Sequence, residues 1–424
     1  MAVTQGKWVK LNQKGTGPGA RSSHGITIVG QKAYAFGGEF TPRVPINNSL
    51  YIFDLTTQTW STAESTGDIP PPRVGVTMAA IGTTIYVFGG RDATHTELNE
   101  LYSFDTLTNE WTLLSTGDTG PTHRSYHSVA TDDHRHMYVF GGCGVAGRLN
   151  DLWAYDVVEN NWVEFPLPGD NLKGRGGPGL GVVGGKIWVV YGFAGMEVDD
   201  VHYFDPDGKK WVEVETTGQK PTPRSVFSSV VVGKYVFVCG GEVDPSDLGH
   251  MGAGRFTHEV YALDTDALTW RRLEDGFGGG DHPGPRGWCA FSGGRFGGED
   301  GLLVYGGNSP RVAGRNLQMH LGIGHASQVT NRNRRSQVTN RNRRLQSNLR
   351  RRSEVDAREF QAVVVAVGCN QTFIADARWY VDEALQVFDI MLQRGVPSVS
   401  HALQTSLDPM DDEQNPLILH MHPM

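Results

Sequence analysis

The chain has 424 residues with 55 Gly and 21 Pro, and its formal net charge is -8. Residues 311–424 carry 14 Arg, no Lys and 11 acidic residues, so this part is +3 and residues 1–310 are -11. An acidic body of this kind argues against a generic nucleic-acid binder. No window approaches the roughly 18 consecutive apolar residues of a transmembrane helix, and the first residues lack a secretory apolar segment, so we expect neither membrane spanning nor secretion.

A pattern recurs about every 50 residues along the first three quarters of the chain. It consists of an Arg before small or apolar residues, an apolar strand ending in Gly-Gly, a Tyr-x-Phe-Asp strand and a Trp. The arginines are Arg21, Arg73, Arg124, Arg175, Arg224 and Arg286. The diglycines end at Gly38, Gly90, Gly142, Gly241 and Gly307, and in the fourth repeat Tyr191-Gly192 is a divergent copy of the diglycine. The Trp residues are Trp60, Trp111, Trp162, Trp211 and Trp270. This period is typical of kelch repeats with one four-stranded blade each. We therefore predict an all-β fold, a six-bladed kelch-type β-propeller.

The way in which the ring closes is predicted from the two ends of the repeat region. The sixth repeat reaches its diglycine without a following Tyr-x-Phe-Asp strand and Trp, whereas Trp8 precedes the first repeat without strands of its own. The economical interpretation is that residues 6–11 supply the outer strand of the sixth blade. Residues 316–321 are the candidate for its third strand, although their apolar alternation is weak.

We divide the chain into a propeller of residues 1–325, a basic low-complexity linker of residues 326–352, and a tail of residues 353–424. Residues 327–335 repeat identically at 336–344, and no acidic residue occurs between 311 and 352. This composition predicts disorder, and the apolar spacing after residue 354 predicts amphipathic helices, so the tail is partly disordered and partly helical. A nuclear-localisation or RNA-binding role, a plain linker and a wrongly extended gene model are all left open for the basic segment.

The four cysteines stand far apart in the sequence and include no CxxC pair. They are Cys143, Cys239, Cys289 and Cys369. This pattern indicates reduced thiols rather than a disulfide framework. We expect a cytoplasmic protein, with the nucleus as an alternative.

One loop breaks the period, because the fourth and fifth repeat Trp residues are 59 residues apart rather than about 50. The extra length follows the diglycine of the fifth repeat, Gly240-Gly241, and offers Glu242, Asp244, Asp247 and His250 within nine residues. Propeller function usually resides in such loops. Two carboxylates and one imidazole with open positions suit non-haem Fe(II), although acidic loops that bind no metal are common.

Several stretches spread over the propeller resemble the plant specifier proteins, namely the nitrile-specifier, epithiospecifier and thiocyanate-forming proteins. These stretches are residues 15–25 (GTGPGARSSHG), 88–92 (FGGRD), 188–193 (WVVYGF), 214–218 (VETTG), 224–227 (RSVF) and 285–288 (PRGW). The resemblance implies an activity on the thiohydroximate-O-sulfate aglucone that the thioglucosidase myrosinase releases from a glucosinolate. With a specifier protein and Fe(II), this aglucone gives nitriles, epithionitriles or thiocyanates instead of an isothiocyanate.

The family's iron motif, Glu-x-x-x-Asp-x-x-x-His, matches this chain incompletely. Glu242 and His250 occupy its first and last positions, but residue 246 is Ser, and Asp247 is the expected substitute ligand. A second family position, an Arg that binds the sulfate group, matches Arg91, for which a structural bridge between blade loops is the alternative. Trp288 is a candidate for lining the substrate site, and a Trp packed at a blade junction is the alternative.

The resemblance therefore implies a lyase-like, Fe(II)-dependent formation of simple nitriles, closest to the nitrile-forming branch. The implied partners are a small-molecule aglucone and, functionally, myrosinase, with no membrane and no nucleic acid, and a homodimer is left open. The alternative is a non-catalytic kelch propeller that serves as a protein-interaction scaffold, because fold alone does not fix function. A copper radical oxidase is excluded, since no suitable Tyr, Cys and His set is evident.

Overall fold

The computed structural model describes residues 6–244, 254–274, 281–296, 299–309 and 319–323. Contacts divide the chain into units of residues 1–329 and 330–424, and the second unit lies outside the described residues. The linker predicted at 326–352 and the helices predicted in 353–424 also lie outside them. In the described ranges, no helix is long and apolar enough to cross a membrane.

Six antiparallel sheets of four strands form the structure, and each corresponds to one sequence repeat. The first three blades contain Gly25–Val29, Lys32–Phe36, Tyr51–Asp54 and Thr59–Thr62; then Thr77–Ile81, Thr84–Arg91, Glu97–Asp105 and Glu110–Ser115; then Ser128–Thr131, His136–Phe140, Leu152–Asp156 and Asn161–Glu164. The last three contain Gly179–Val183, Lys186–Phe193, Glu197–Asp205 and Lys210–Glu213; then Ser228–Val232, Tyr235–Cys239, Val260–Asp264 and Thr269–Arg272; then Ala290–Phe296, Glu299–Tyr305, Met319–Ile323 and Gly6–Lys10. The fold is thus an all-β kelch propeller, as predicted.

Shorter elements decorate the blades. Parallel edge strands are added to blades two and five by Thr66–Gly67 and Thr217–Gly218. A small three-stranded sheet is formed by Arg124–Ser125, Cys143–Gly144 and Gly147–Arg148. Glu242–Asp244 pairs with Arg255–Phe256, and Gly169–Asn171 is a 3-10 turn. Thr66–Gly67 and Thr217–Gly218 thus extend the outer edges of two blades. Cys143–Gly144 and Glu242–Asp244 directly follow the diglycines of their blades.

The sixth blade combines the two ends of the propeller. Gly6–Lys10 pairs antiparallel with Met319–Ile323, so that Trp8 lies opposite Leu321. The Trp8 side chain is only 4% exposed and packs in a core cluster with Val230 and Phe237 of blade five. Because the first described strand completes the last sheet, unfolding of either end opens the ring.

Repeated aromatic packing explains the period of the sequence. Trp111, on the outer strand of blade two, packs against Phe104 of its own blade at 4.9 Å and against Phe36 of blade one at 5.6 Å between ring centroids. Trp162 makes the same kind of contacts with Tyr155 and Phe88. Each repeat therefore buries its Trp against the preceding blade, which aligns neighbouring sheets face to face.

The inner ends of the blades are joined by a closed ring of backbone hydrogen bonds. Its members, which we call the channel ring, are Ser23, Gly75, Tyr126, Gly177, Val226 and Trp288. Each donates its N–H to the carbonyl of the preceding member at 2.8–3.0 Å, and Ser23 donates to Trp288. All six have φ between +47° and +60°. These six bonds connect the six blades to one another around the channel axis.

The six repeat arginines, each two residues before a member of the channel ring, are buried. Through side-chain hydrogen bonds, each connects the start of its inner strand to the end of the second strand of the same blade. Each Nη1 donates to the carbonyl of the first diglycine position, or of Tyr191 in the divergent copy, at 2.7–3.1 Å. The second glycine admits no side chain, since a Cβ on Gly142 would lie 2.7 Å from the Ser125 carbonyl oxygen at a φ of +100°. The recurring Arg and Gly-Gly are thus two halves of one structural contact.

Candidate functional site

The residue that follows each diglycine lies at the same channel end as the channel ring. These residues, which we call the mouth ring, are Glu39, Arg91, Cys143, Phe193, Glu242 and Asn308. Each pairs in a β-bridge with the residue that follows the repeat Arg of its own blade. The mouth ring therefore presents six side chains of five different types at one register around the channel.

Ring order decides which of these residues face each other. The blades follow one another around a ring of six, so blades two and five lie on opposite sides, as do blades three and six. Arg91 belongs to blade two and Glu242 to blade five. The structure thus places the predicted sulfate-binding Arg and the first predicted iron ligand at equivalent positions across one channel mouth.

Between them, two aromatic side chains meet over the channel axis. Tyr126 of blade three and Trp288 of blade six contact edge to face, with ring centroids 5.2 Å apart and an interplanar angle of 86°. Trp288 is therefore at the mouth, where it packs against the opposite blade rather than at a junction of neighbouring blades. Burial raises the pKa of Tyr126, and the Glu39 carboxylate raises it further, so its hydroxyl stays protonated.

The channel next to this aromatic contact forms a cavity of about 140 Å³. Every blade contributes to its wall through the inner strand, and the apolar lining residues include Ile26, Met78, Leu180, Phe227 and Phe291. Tyr126 and Trp288 also line it. The aromatic pair thus lies between the mouth ring, which carries acidic and basic side chains, and the mainly apolar cavity.

Arg91 is held by a carboxylate that follows it by six residues. Its Nε donates to Glu97 Oε1 at 3.0 Å, and its Nη2 donates to the same oxygen. The guanidinium carbon lies 6.0 Å from the centroid of the Tyr126 ring. Burial alone would lower the pKa of Arg91, but the Glu97 carboxylate raises it, so the guanidinium keeps its charge. The side chain is 19% exposed, which leaves it reachable from the mouth.

Glu242 is buried at the start of the long loop, with 6% of its surface exposed. Its Oε1 accepts the backbone N–H of Gly254 at 2.7 Å, which orients the carboxylate at the place where the loop returns. A Cβ on Gly254 would overlap this carboxylate, so only glycine lets the returning chain approach it so closely. A carboxylate oriented by an outer hydrogen bond in this way fits the role of a metal ligand.

The remaining carboxylate of this loop that the structure describes is already paired. Asp244 accepts from Arg255 Nε at 2.6 Å, and both side chains are largely exposed. Asp247 and His250, the other predicted ligands, lie outside the described residues. In the ranges that are described, no three His, Cys, Asp or Glu side chains come close enough to hold a metal ion. The Glu, Asp and His donor set of the prediction still suits Fe(II) by its chemistry. Asp244 lies outside that set, and its carboxylate is paired with Arg255.

A second carboxylate near Glu242 comes from blade four. Glu197 Oε1 accepts from the Ser225 hydroxyl at 3.3 Å, and Ser225 pairs with Glu242 through the backbone. Burial raises the pKa of Glu197, and the negative charge of Asp244 adds to this effect. The side of the mouth around blades four and five is therefore acidic.

Cys143 occupies the mouth-ring position of blade three, as expected for a loop residue. Burial raises the pKa of its thiol, which outweighs the opposite effect of the nearby Arg148. Cys239 is buried in the core, and none of Cys143, Cys239 and Cys289 forms a disulfide within the described ranges. A buried thiol with a raised pKa is a poor nucleophile.

Sequence reasoning did not single out Glu97 or Tyr126 as parts of the site. A signal for Tyr126 existed, because it follows Arg124 by two residues, as Trp288 follows Arg286. The signal for Glu97 was weaker, since only the hairpin register places it opposite Arg91. Each of the two missed residues contacts a residue that was selected, since Glu97 accepts hydrogen bonds from Arg91 and Tyr126 packs against Trp288.

Comparison with known proteins places the chain in a family. The family model described as KLHDC2/KLHL20/DRC7 Kelch-repeats domain matches residues 23–241. An N-(sulfonatooxy)prop-2-enimidothioate sulfolyase of Thlaspi arvense is 44% identical over 328 residues, which are 72% of this chain and 93% of the relative. Kelch domain-containing protein 3 of Bos taurus is 27% identical over 55% of this chain and 66% of that protein. Acyl-CoA-binding domain-containing protein 4 of Arabidopsis thaliana is 27% identical over 62% of this chain and 40% of that protein. The chain belongs to the kelch-repeat proteins and, within them, to the plant specifier proteins.

Proposed function

We propose that this protein acts on the aglucone that myrosinase releases from a glucosinolate and directs it, with Fe(II), to a simple nitrile. The observation that carries this proposal is the placement of Arg91 and Glu242 at equivalent positions on opposite sides of one mouth. The name of the Thlaspi arvense relative describes a sulfolyase of a sulfonatooxy imidothioate, which is the same chemical class of substrate. The reaction is lyase-like, because the substrate is split without water or a second reactant.

Arg91 has the role of binding the sulfate group. A guanidinium carries five N–H donors in a planar fork that matches a tetrahedral oxyanion. Glu97 engages Nε and Nη2, while no hydrogen bond of Nη1 occurs within the described ranges. The Nη1 edge is the part that can donate to a sulfate oxygen. Trp288 and Tyr126 supply an apolar wall against which the substrate side chain can pack.

Glu242, Asp247 and His250 are the residues that would hold Fe(II). When bound, the ion supplies a Lewis acid for the thiolate sulfur. Glu242 contributes a carboxylate that is oriented before metal arrives, through its hydrogen bond from Gly254. The overall change is that the C–S and N–O bonds break and the nitrile triple bond forms. Sulfur leaves at the elemental level and the N–O electron pair leaves with sulfate, so electrons and charge balance without another reactant.

The test is product analysis by gas chromatography of a glucosinolate treated with myrosinase and the purified protein, with and without added Fe(II). We expect nitrile above the level that Fe(II) alone produces, and we expect Glu242→Ala, Asp247→Ala and His250→Ala to abolish that excess. Asp244→Ala is the matched control, because its carboxylate is committed to Arg255, and it should keep the activity. Isothiocyanate alone from the wild-type protein, or equal nitrile from Glu242→Ala, would refute the proposal.

A second candidate function is a scaffold that binds a protein at the same mouth. Exposed apolar side chains in the loops after the diglycines favour it: Phe40 is 64%, Val145 is 86% and Met196 is 69% exposed. Such side chains are common in interaction surfaces. The two functions differ in one measurable respect, because a scaffold without catalysis adds no nitrile beyond the level that Fe(II) alone produces.

A further inference from the structure

Glu97 is a buried carboxylate with an unusual combination of contacts. It begins the third strand of blade two and lies directly opposite Arg91 in the hairpin register. Only 6% of its surface is exposed. Its Oε1 accepts from Arg91 Nε and Nη2, whereas Oε2 is buried and has no hydrogen-bond partner in the part of the chain that the structure describes. The hydrogen bonds of this carboxylate to protein groups are thus directed to Arg91 within the described residues.

We infer that Glu97 is a positioning residue that fixes the Arg91 guanidinium with its Nη1 edge toward the channel mouth, ready for the sulfate group of the substrate. This inference rests on the function proposed for Arg91. It adds that Arg91 alone is insufficient for tight sulfate binding, and that Arg91 oriented by Glu97 forms the anion-binding unit.

The geometry restrains Arg91 in two directions. Glu97 holds one edge of the guanidinium within its plane through two hydrogen bonds to a single oxygen. Tyr126 limits motion on a face of the group, with the guanidinium carbon 6.0 Å from the ring centroid. An Arg side chain otherwise has many rotamers, and ordering it before the substrate arrives lowers the entropic cost of binding.

The contact also extends to the other predicted substrate residue. Tyr126 packs against Trp288 across the channel at 5.2 Å, so Glu97, Arg91, Tyr126 and Trp288 form one continuous row over the mouth. A shift of Arg91 would therefore also release the aromatic pair on one side. The row gives the anion-binding edge and the apolar wall a fixed relative position.

Blade four provides an internal comparison. Glu197 begins the third strand there and lies opposite Phe193, as Glu97 lies opposite Arg91. Phe193 carries no charge, so a Glu at this strand position does not require an Arg partner for the hairpin to form. Glu197 is therefore the matched position at which the same substitutions should leave anion binding unchanged.

The test uses inorganic sulfate as the probe and isothermal titration calorimetry on the full chain without added metal. We compare the wild-type protein with Arg91→Ala, Glu97→Ala, Glu97→Gln, Glu197→Ala and the double variant Arg91→Ala/Glu97→Ala. Glu97→Ala should weaken sulfate binding about tenfold, because a misplaced binding group loses its orientation. Glu97→Gln should bind sulfate at least as tightly as the wild type, since the amide oxygen still accepts from Arg91 and the like charge is removed.

The double variant separates positioning from a general structural effect. If Glu97 acts through Arg91, the double variant binds sulfate no more weakly than Arg91→Ala alone, because the two losses are not additive. Unfolding in urea serves as a second measurement, in which Glu97→Gln should be as stable as the wild type.

Each result has a definite meaning. Sulfate binding that is unchanged in Glu97→Ala, or equally weak in Glu97→Ala and Glu97→Gln, would overturn the inference while the role of Arg91 stands. Sulfate binding by the wild type that is no tighter than by Arg91→Ala would overturn both. Loss of binding in Glu197→Ala would overturn the inference, because it would assign the effect to a general disturbance of the mouth and not to the positioning of Arg91.

Discussion

Two of the repeat arginines form a pair that differs chiefly in one carboxylate, although Arg224 also lies 5.3 Å from the centroid of the Tyr261 ring. Arg124 and Arg224 are 0% and 1% exposed, and each donates through Nη1 at 3.0 Å to the carbonyl of the first diglycine position of its blade. Each also donates through Nε to the carbonyl two residues earlier, at 2.9 and 3.0 Å. However, Arg124 makes a bidentate pair with Asp151 at 2.8 and 2.7 Å, whereas Arg224 lies 3.9 Å from Glu259.

We expect Arg124→Met to lower the free energy of unfolding by about 2 kcal/mol more than Arg224→Met, because hydrogen bonds to charged groups contribute roughly 1.5–3 kcal/mol. Both variants lose the same backbone contacts, so these cancel in the comparison. In Arg124→Met, the Asp151 carboxylate is left mostly buried, with 15% of its side chain exposed and the Trp153 Nε1–H as a remaining donor at 2.8 Å.

The difference should depend on pH in a defined direction. Burial favours a raised pKa for Asp151, but the Arg124 hydrogen bonds and charge lower this pKa below the ordinary value. In the wild type, the stabilisation that the ionised Asp151 contributes is therefore present at neutral pH and is lost only as pH falls through the lowered pKa. Without Arg124, burial raises the pKa, and protonation relieves the penalty as pH falls from 7 to 4. The gap between the two variants should therefore shrink over this range.

The assay is urea unfolding followed by tryptophan fluorescence at pH 7 and pH 4, with midpoints and slopes compared between the two variants. Equal losses of stability at pH 7, or a gap that is the same at both pH values, would show that the Asp151 pair is not what distinguishes these blades.

Two further changes test the interior of the ring. Burial, together with the charge of Arg124, lowers the pKa of His127 to about 3; since unfolding restores an ordinary value, stability should fall as pH drops from about 6.5 to 3, by up to about 1.4 kcal/mol per pH unit. His127→Phe should remove this part of the slope in urea unfolding, and an unaltered slope would contradict it. Gly75→Ala should destabilise the protein by about 1–3 kcal/mol, because the added Cβ would lie 3.0 Å from the Tyr126 ring. Part of that cost should disappear in a Tyr126→Ala background, while the strain of an Ala at the Gly75 φ of +60° should remain. A cost that is the same in both backgrounds would show that the Tyr126 ring contributes nothing.

The architecture could be predicted from the sequence because each blade is nearly a local unit. The recurring Arg, Gly-Gly and Trp each satisfy a contact inside one blade or with the preceding one, so the same short-range demands recur in every repeat. The strand that contains Trp8 pairs with residues more than 300 positions away, yet its surplus Trp and the missing Trp of the last repeat pointed to that pairing.

For the site, individual residues could be predicted from the sequence, but their arrangement relative to one another could not. Arg91 was selected through resemblance to a family, and Glu242 was selected through the long loop that breaks the period and then through the same resemblance. Nothing in the sequence states that the two residues face each other. Glu97 was not selected because its partnership with Arg91 depends on the register of a hairpin with a bulge near Gly90. Asp247 and His250 remain predictions, since they lie outside the described residues.

By itself, the sequence determined that the chain repeats a four-stranded unit, how many times it does so, and where the repeat is interrupted by a longer loop. These are properties of local patterns, which recur with the same spacing whatever the global arrangement. Only the tertiary structure decided which loops share a mouth and which stand opposite, because ring closure converts an order along the chain into an angle around an axis. With six blades in the ring, residues three repeats apart face each other, and this brings Arg91 to face Glu242 and Tyr126 to contact Trp288.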